Sequence, residues 1–233
     1  MEKIIVFQIR LKVFLLNDIR LEEMQYKIGS FIDKSFGKKE ELLKLHKENK
    51  FKNYCFNGFY PNEEEKVYKK GNIYTITIRT IDRTLAEFFE KDLVNEYDNN
   101  LKGLTCEIKI LPKRYIEKIY TLTPVILKTD KGYWRKELSL EDFERRLKEN
   151  LIKKYNKFTE EKINENFQLY YNMTFNNYFP ISSNYKNIKL LGDKITLNIT
   201  EEKEAQDLAY LCLGTGLLEG NSRGYGFVKI RYL

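Results

Sequence analysis

The order of amphipathic segments in the first half of the chain constrains its fold more than any other feature. Residues 2–16 alternate apolar and polar side chains, as a half-buried strand does, and apolar residues then recur at helical spacing over about 20–35. Helix, strand, strand, helix and strand patterns follow at about 38–47, 51–60, 72–81, 83–97 and 104–111. Apart from the extra short helix, this β-α-β-β-α-β order is the ferredoxin-like arrangement.

The second half has a similar outline without repeating the sequence. It predicts a strand at 115–127, a helix at 139–155, a hairpin at 187–200 with the turn Gly192-Asp193, a helix at about 202–212 and a strand at 225–232. We therefore expect an α+β protein with two tandem ferredoxin-like domains, residues 1–118 and 119–233. The boundary is bracketed by Pro112 and Pro124. Because no low-complexity linker separates the halves, they should pack closely.

The positive charge of the chain is concentrated in one tract. The net charge is +7; residues 102–157 hold 15 Lys and Arg against 8 Asp and Glu, whereas the remaining residues hold 26 of each. Such an excess favours a polyanionic partner. Five basic residues lie largely off the apolar stripe of the helix predicted at 139–155: Arg145, Arg146, Lys148, Lys153 and Lys154. A solvated helix face and a track that contacts phosphates both remain open for them.

Cysteine and histidine are too scarce for most metal sites. Cys55, Cys106 and Cys212 lack metal-ligand spacing, and their odd number argues against a disulfide framework, so we interpret them as reduced packing residues of a cytoplasmic protein. His46 is the only histidine, and a lone histidine is usually a packing or capping residue. No stretch approaches the ~18 apolar residues of a membrane span. We expect no metal, no cofactor and no membrane.

A glycine-rich stretch precedes the last predicted strand. It contains five of the twelve glycines, Gly214, Gly216, Gly220, Gly224 and Gly226. The stretch runs from a helix into a strand, the reverse of a dinucleotide-binding loop, and it lacks the Gly-Lys-Ser/Thr of a Walker loop. A helix C-cap followed by a turn explains one or two of these glycines. It leaves the others, and the embedded Arg223, unexplained.

The end of this stretch, Arg-Gly-Tyr-Gly-Phe at 223–227, resembles the C-terminus of the RAMP superfamily of CRISPR-associated proteins. Within that superfamily the chain is similar to the CRISPR repeat-processing endoribonucleases, the sixth Cas family, and most of all to bacterial type I-B members. The similarity includes the segments LEEMQYKIGSFIDKSF, HKENKFKNYCFNGFYP, GNIYTITIR and IYTLTPV. One position departs from the family, because members commonly carry a further glycine where this chain has Leu218.

The resemblance implies RNA cleavage without a metal. A histidine of this family acts on the ribose 2′-hydroxyl beside the scissile phosphate, and the products carry a 2′,3′-cyclic phosphate and a 5′-hydroxyl. His46 matches that histidine, as general base or general acid, and imidazole titrates near neutrality. Lys52 matches a family lysine that would stabilise charge on the phosphoryl oxygens, although an exposed strand-end lysine is the alternative. Tyr26 lies where some members carry a catalytic tyrosine; a surface tyrosine is the alternative.

The resemblance also implies an RNA-binding surface that includes the glycine-rich stretch. The candidate RNA-binding residues are Gly214, Gly216, Gly220, Asn221, Ser222, Arg223, Gly224, Gly226, Lys229, Arg231, Arg145, Arg146 and Lys148. Backbone N–H groups of the stretch would add an anion-binding nest. Of Tyr225 and Phe227, at least one should lie in the core, which leaves the other for base stacking.

The sequence is compatible with two alternative functions. The first is an endoribonuclease that cuts precursor CRISPR RNA within its repeats, with repeat RNA and other Cas proteins of a type I interference complex as partners, and as a monomer or a homodimer. The alternative is a non-catalytic RAMP subunit that binds repeat or guide RNA without cutting it. A general basic RNA-binding protein is more distant. His46 together with Lys52 favours the nuclease, because a scaffold has no need of them.

Overall fold

The structure is a computed structural model, and it describes residues 4–38, 51–186 and 188–233. The short helix predicted at about 38–47 falls, apart from Lys38, outside the described residues, and so does His46.

The N-terminal half forms one antiparallel sheet covered by two helices. Its elements are β1 (Val6–Leu15), α1 (Leu21–Phe36), β2 (Tyr54–Phe56), β3 (Ile73–Thr80), α2 (Arg83–Asp92) and β4 (Leu101–Leu111). The sheet order is β2-β3-β1-β4. Ile9, Leu11 and Val13 of β1 are fully buried while Arg10 and Lys12 between them are exposed, as the alternation predicts.

The C-terminal half repeats this architecture. Its elements are β5 (Ile116–Thr121), α3 (Leu140–Thr159), β6 (Tyr170–Phe175), β7 (Ile181–Tyr185), β8 (Ile188–Gly192), β9 (Ile195–Ile199), α4 (Lys203–Thr215) and β10 (Val228–Tyr232). Its main sheet has the order β6-β9-β5-β10. In both sheets the first strand of the half lies between the third and the fourth, which is the ferredoxin-like order. The α+β prediction with two tandem ferredoxin-like units is confirmed.

The remaining regular structure is short. Two-residue ladders join Ile19–Arg20 to Val67–Tyr68 and Lys128–Thr129 to Gly132–Tyr133, and 3-10 helices form at Trp134–Lys136 and Asn221–Arg223.

The hairpin predicted at 187–200 is wrong in its pairing. Two strands occur there, but β8 pairs with β7 and β9 pairs with β6 and β5. The chain does not turn back on itself at 192–193, because Asp193 pairs with Val125 instead and its buried carboxylate accepts hydrogen bonds from Tyr133, Trp134 and Asn177. Apolar alternation indicates that a segment is a strand and leaves its partner undetermined.

Several element bounds also differ from the sequence expectation. Only Tyr54–Phe56 of the strand predicted at 51–60 is regular, the helix predicted at 83–97 ends at Asp92, and the last strand begins at Val228. The N-terminus of α3 is as expected, since the Ser139 hydroxyl accepts the Asp142 N–H at 3.0 Å.

The two halves pack closely through α4, as expected from the absence of a linker. The Tyr210 hydroxyl of α4 accepts the Val6 N–H at 3.2 Å and donates to the Leu111 carbonyl at 2.7 Å. Arg79 of β3 is buried, donates to Gln8 Oε1 and to the Val228 carbonyl, and lies 4.4 Å above the Phe227 ring. The chain passes from the first sheet to the second within residues 112–115; the domain division at 118/119 stays a prediction.

Candidate functional site

A cavity of about 810 Å³ opens where the two halves meet. Its walls come from α1, from the residues before β2, from α3, from the end of β7 and from residues 214–226, which we call the glycine loop. The lining residues include Gln25, Tyr26, Asp33, Lys52, Lys128, Asn150, Lys154, Lys157, Tyr185, Lys186, Glu219, Gly220, Asn221, Ser222 and Arg223. The cavity therefore joins segments that are nearly 200 residues apart in the chain.

Two of the three proposed catalytic residues line this cavity. Lys52 lies just before β2, and Tyr26 lies on α1 with 37% of its surface exposed. The Tyr26 ring meets the Tyr185 ring edge to face, with centroids 5.9 Å apart. The third, His46, lies outside the described residues, so its position relative to Lys52 stays a prediction.

The glycine loop needs the conformational freedom of its glycines. Gly224 and Gly226 have φ angles of +86° and +64°. A Cβ atom at Gly226 would lie 2.0 Å from the Leu217 carbonyl oxygen, and one at Gly224 would lie 2.2 Å from Gln25 Oε1. Both positions thus require glycine for backbone conformation and for close packing.

Leu218, where the family resemblance leads us to expect a glycine, also has a positive φ of +56°. Its side chain is buried, with 1% of its surface exposed. This chain therefore keeps at Leu218 the left-handed conformation that glycine adopts most readily, and it gains apolar burial there in return.

Most N–H groups of the glycine loop already donate within the protein. Those of 216, 217, 219, 223, 224, 225 and 226 donate to carbonyl oxygens of the same half. The Tyr54 hydroxyl adds a bond to the Ser222 carbonyl at 3.4 Å. The expected anion nest is therefore restricted to the few other N–H groups of the loop, and side chains such as Arg223 dominate what the loop offers to a ligand.

Lys154 is a site residue whose surroundings differ from the sequence expectation. It is 3% exposed, and its ammonium donates to the Gly216 carbonyl at 2.8 Å, the Leu218 carbonyl at 3.0 Å and Asn221 Oδ1 at 2.7 Å. The prediction that Lys154 lies off the apolar stripe of α3 is wrong, because it follows Leu147 and Leu151 at helical spacing and faces inward with them. Counting that spacing one turn further would have revealed it.

The cavity lining is strongly positive. Among the residues that line it are six cationic side chains, Lys52, Lys128, Lys154, Lys157, Lys186 and Arg223, against two carboxylates, Asp33 and Glu219. The Arg223 guanidinium lies 4.4 Å above the Tyr185 ring. A concave surface with this excess attracts and concentrates a polyanion.

Other candidate RNA-binding residues lie away from the cavity lining. Arg145 pairs with Asp142 and Glu149, and the Lys148 ammonium donates to the carbonyls of Glu165 and Phe167. Arg146 approaches the rim, because it donates to the carbonyl of the lining residue Lys128 at 3.3 Å.

On β10, Lys229 is exposed and Arg231 pairs with Glu117. RNA contact by the α3 and β10 residues stays a prediction. Tyr225 and Phe227 are both buried, with 1% exposed, so the structure supports the core role of these aromatics and offers neither ring for base stacking.

The cysteines behave as packing residues. Cys55 and Cys212 are buried, and Cys106 is partly buried. Burial raises the pKa of each thiol to about 12, so thiolate chemistry is suppressed at neutral pH.

Within the described ranges, no group of three Cys, Asp or Glu side chains is placed to hold a metal ion. No helix among the described residues is long and apolar enough to cross a membrane.

Comparison with known proteins places these features in one family. Residues 111–230 match the family described as CRISPR associated protein Cas6, C-terminal. The chain is 25% identical over 210 residues to CRISPR-associated endoribonuclease Cas6 2 of Methanocaldococcus jannaschii. The aligned region covers 82% of this chain and 86% of the relative.

Two solved structures share the fold over almost the whole chain. One is described as CRISPR associated protein Cas6, with a TM-score of 0.68, 22% identity and coverage of 97% of this chain and 99% of the other. The second is described as a RAMP protein binding different RNA substrates, with a TM-score of 0.71, 18% identity and the same coverage. Because the family match spans more than half of its residues, the chain belongs to the Cas6 family of CRISPR-associated proteins.

Proposed function

We propose that this protein is an endoribonuclease that processes precursor CRISPR RNA by cutting within its repeats. The observation that carries the proposal is the convergence of Lys52, Tyr26 and the glycine loop on one cation-lined cavity. Family membership supports the same function, and the M. jannaschii relative is itself described as an endoribonuclease.

The proposed reaction uses the nucleophile of the RNA itself. The ribose 2′-oxygen attacks the adjacent phosphorus while the bond from phosphorus to the 5′-oxygen breaks, which leaves a 2′,3′-cyclic phosphate and a 5′-hydroxyl. One proton leaves the 2′-hydroxyl and one reaches the departing 5′-oxygen. His46 serves as the general base or the general acid for one of these transfers. No step requires a metal ion.

Lys52 stabilises the negative charge that builds on the phosphoryl oxygens in the transition state. Tyr26 faces the same cavity and assists as a hydrogen-bond donor. Lys128, Lys157, Lys186 and Arg223 hold the RNA backbone. Each phosphate they neutralise releases condensed counterions, so binding should weaken steeply as salt rises.

The proposal is tested with two versions of the cognate repeat RNA in EDTA, one all-ribose and one with a single 2′-deoxyribose at the scissile position. We expect cleavage of the first and binding without cleavage of the second, because only the first carries the nucleophile. Cleavage of both RNAs would refute 2′-hydroxyl attack. Binding of both without any cleavage would instead support the alternative of a non-catalytic RAMP subunit.

A further inference from the structure

Lys154 is a buried cation that donates hydrogen bonds to the glycine loop. The Lys154 Nζ atom has three acceptors within 3.0 Å, and all three belong to the loop. A lysine ammonium has three donors and no acceptor, so this set uses its full capacity. The lysine lies on the C-terminal half of α3, so its hydrogen bonds connect the loop to this helix.

The three acceptors come from successive points along the loop. The carbonyls of Gly216 and Leu218 belong to its first limb, and the Asn221 amide belongs to its tip. The Asn221 Nδ2 group then donates to the carbonyls of Leu217 and Tyr225, both at 3.0 Å. Lys154 and Asn221 together therefore tie the first limb, the tip and the returning limb to one another.

The orientation of the loop depends on these carbonyls pointing inward. When the first limb and tip turn their acceptors toward Lys154, the following residues Ser222 and Arg223 are left at the cavity wall. Without the ammonium, the buried carbonyls of Gly216 and Leu218 and the part-buried Asn221 amide oxygen would lose their partner, and the loop would rearrange to satisfy them.

We propose that Lys154 is a positioning residue, which holds the glycine loop in the shape that presents Arg223 and Ser222 to an RNA phosphate. This inference rests on the proposed RNA-processing function. Lys154 acts through the loop, and its substitution should weaken RNA binding even where the protein stays folded.

The neighbouring lysine on α3 provides a matched control. Lys153 has the same length and charge, but it is 68% exposed and its partner is Glu149 on the same helix. The experiment compares K154M with K153M, using repeat RNA whose scissile nucleotide is 2′-deoxyribose so that binding is measured without turnover. Hydrogen exchange of the Leu217 and Gly226 amides reports on the loop, and exchange of β1 amides reports on the rest of the fold.

The expected result for K154M is an increase of about tenfold or more in the Kd for this RNA. Exchange should be faster at the loop amides and unchanged in β1. K153M should keep the loop exchange rates of the wild type and raise the Kd far less than K154M does. A folded K154M protein with wild-type Kd overturns the proposal, even if its melting temperature is lower, because that pattern is a stability role alone.

A second variant covers the case in which K154M does not fold. K154Q is neutral and keeps two donors, so it should fold and still bind this RNA more weakly than the wild type; an unchanged Kd contradicts the proposal. A wild-type protein that fails to bind the repeat RNA refutes the proposed function instead. In that case the loop exchange rates alone decide whether Lys154 holds the loop.

Discussion

At the scale of single residues, Lys154 carries a charge in a place that disfavours charge. Burial lowers its pKa from the ordinary 10.5 to about 8, while the nearby Glu219 carboxylate acts in the opposite direction. The lysine is therefore mostly protonated at neutral pH, and the three acceptors of the glycine loop stabilise its positive charge.

The lowered pKa of Lys154 gives stability a predictable pH dependence. Between pH 8 and 10.5 the unfolded chain binds more protons at this site than the folded protein does, so the wild type gains stability as pH rises through this window. The free energy of unfolding of the wild type should rise relative to K154M, by up to about 1.4 kcal/mol per pH unit. Denaturant titrations of both proteins from pH 7 to 10 measure the difference; a difference that is flat or falls with pH contradicts the assignment.

Residue identities were more predictable than residue surroundings. The family resemblance singles out Tyr26 and Lys52, and the glycine-rich stretch singles out Arg223. The structure brings all three to one cavity. The sequence could not show that Arg145 is engaged by carboxylates of its own helix, because i,i+4 pairing and phosphate contact favour the same residue type. It also could not show that Tyr225 and Phe227 are both buried, since their surroundings come from segments distant in the chain, such as Ser183 beside Tyr225 and Arg79 above Phe227.

At the scale of elements, the shape of the glycine loop depends on positions where the backbone leaves no room for a side chain. Gly226 combines a φ of +64° with close packing, since a Cβ atom there would lie 2.0 Å from a backbone carbonyl oxygen. Gly71 offers a control, because its φ of +85° is equally unfavourable for other residues but no atom of the described residues would lie within 4 Å of its Cβ.

We predict that Gly226→Ala destabilises the protein by roughly 3 kcal/mol or more, because backbone strain and a clash with the Leu217 carbonyl add together. Gly71→Ala should cost roughly 1 kcal/mol from backbone strain alone. Equilibrium unfolding in denaturant compares the two variants. Equal destabilisation would show that the close packing around Gly226 is unimportant.

Elements with strong local signals were predictable, whereas pairing between distant segments was not. The helix α3 has its Ser139 cap and a regular apolar stripe, so its start follows from the sequence. The strands β6 and β7 are rich in Tyr, Asn and Ser and are mostly half-buried, so they lack a clear alternation. Because the sequence pattern does not reveal β6 and β7, it pairs β8 and β9 with each other instead of with them.

At the scale of the whole molecule, the two ferredoxin-like units form one cavity because they are held against each other. Arg79 is central to this contact: its guanidinium joins Gln8 of the first sheet to the Val228 carbonyl of the second. The cavity then collects cations from both halves. Lys128, Lys154 and Lys157 come from the basic tract at 102–157, and Lys52, Lys186 and Arg223 come from outside it.

We predict that Arg79→Met destabilises the protein by roughly 2–4 kcal/mol, because the Gln8 and Val228 oxygens lose a buried partner. Arg10→Met, on an exposed position of the same sheet, should change stability by no more than about 0.5 kcal/mol. Thermal and denaturant unfolding provide the comparison. If both variants unfold like the wild type, the Arg79 contact does not hold the halves together.

The central claim concerns His46, the single imidazole of the chain, and it is tested most directly by the cleavage rate of H46A. Purified wild type and H46A are mixed in excess with cognate repeat RNA in EDTA, and the single-turnover rate and the product ends are measured. The wild type should cut within the repeat and leave a 2′,3′-cyclic phosphate, and H46A should bind the RNA but cut it about 10²–10⁴-fold more slowly. Undiminished cleavage by H46A, or no cleavage by the wild type, would contradict the account.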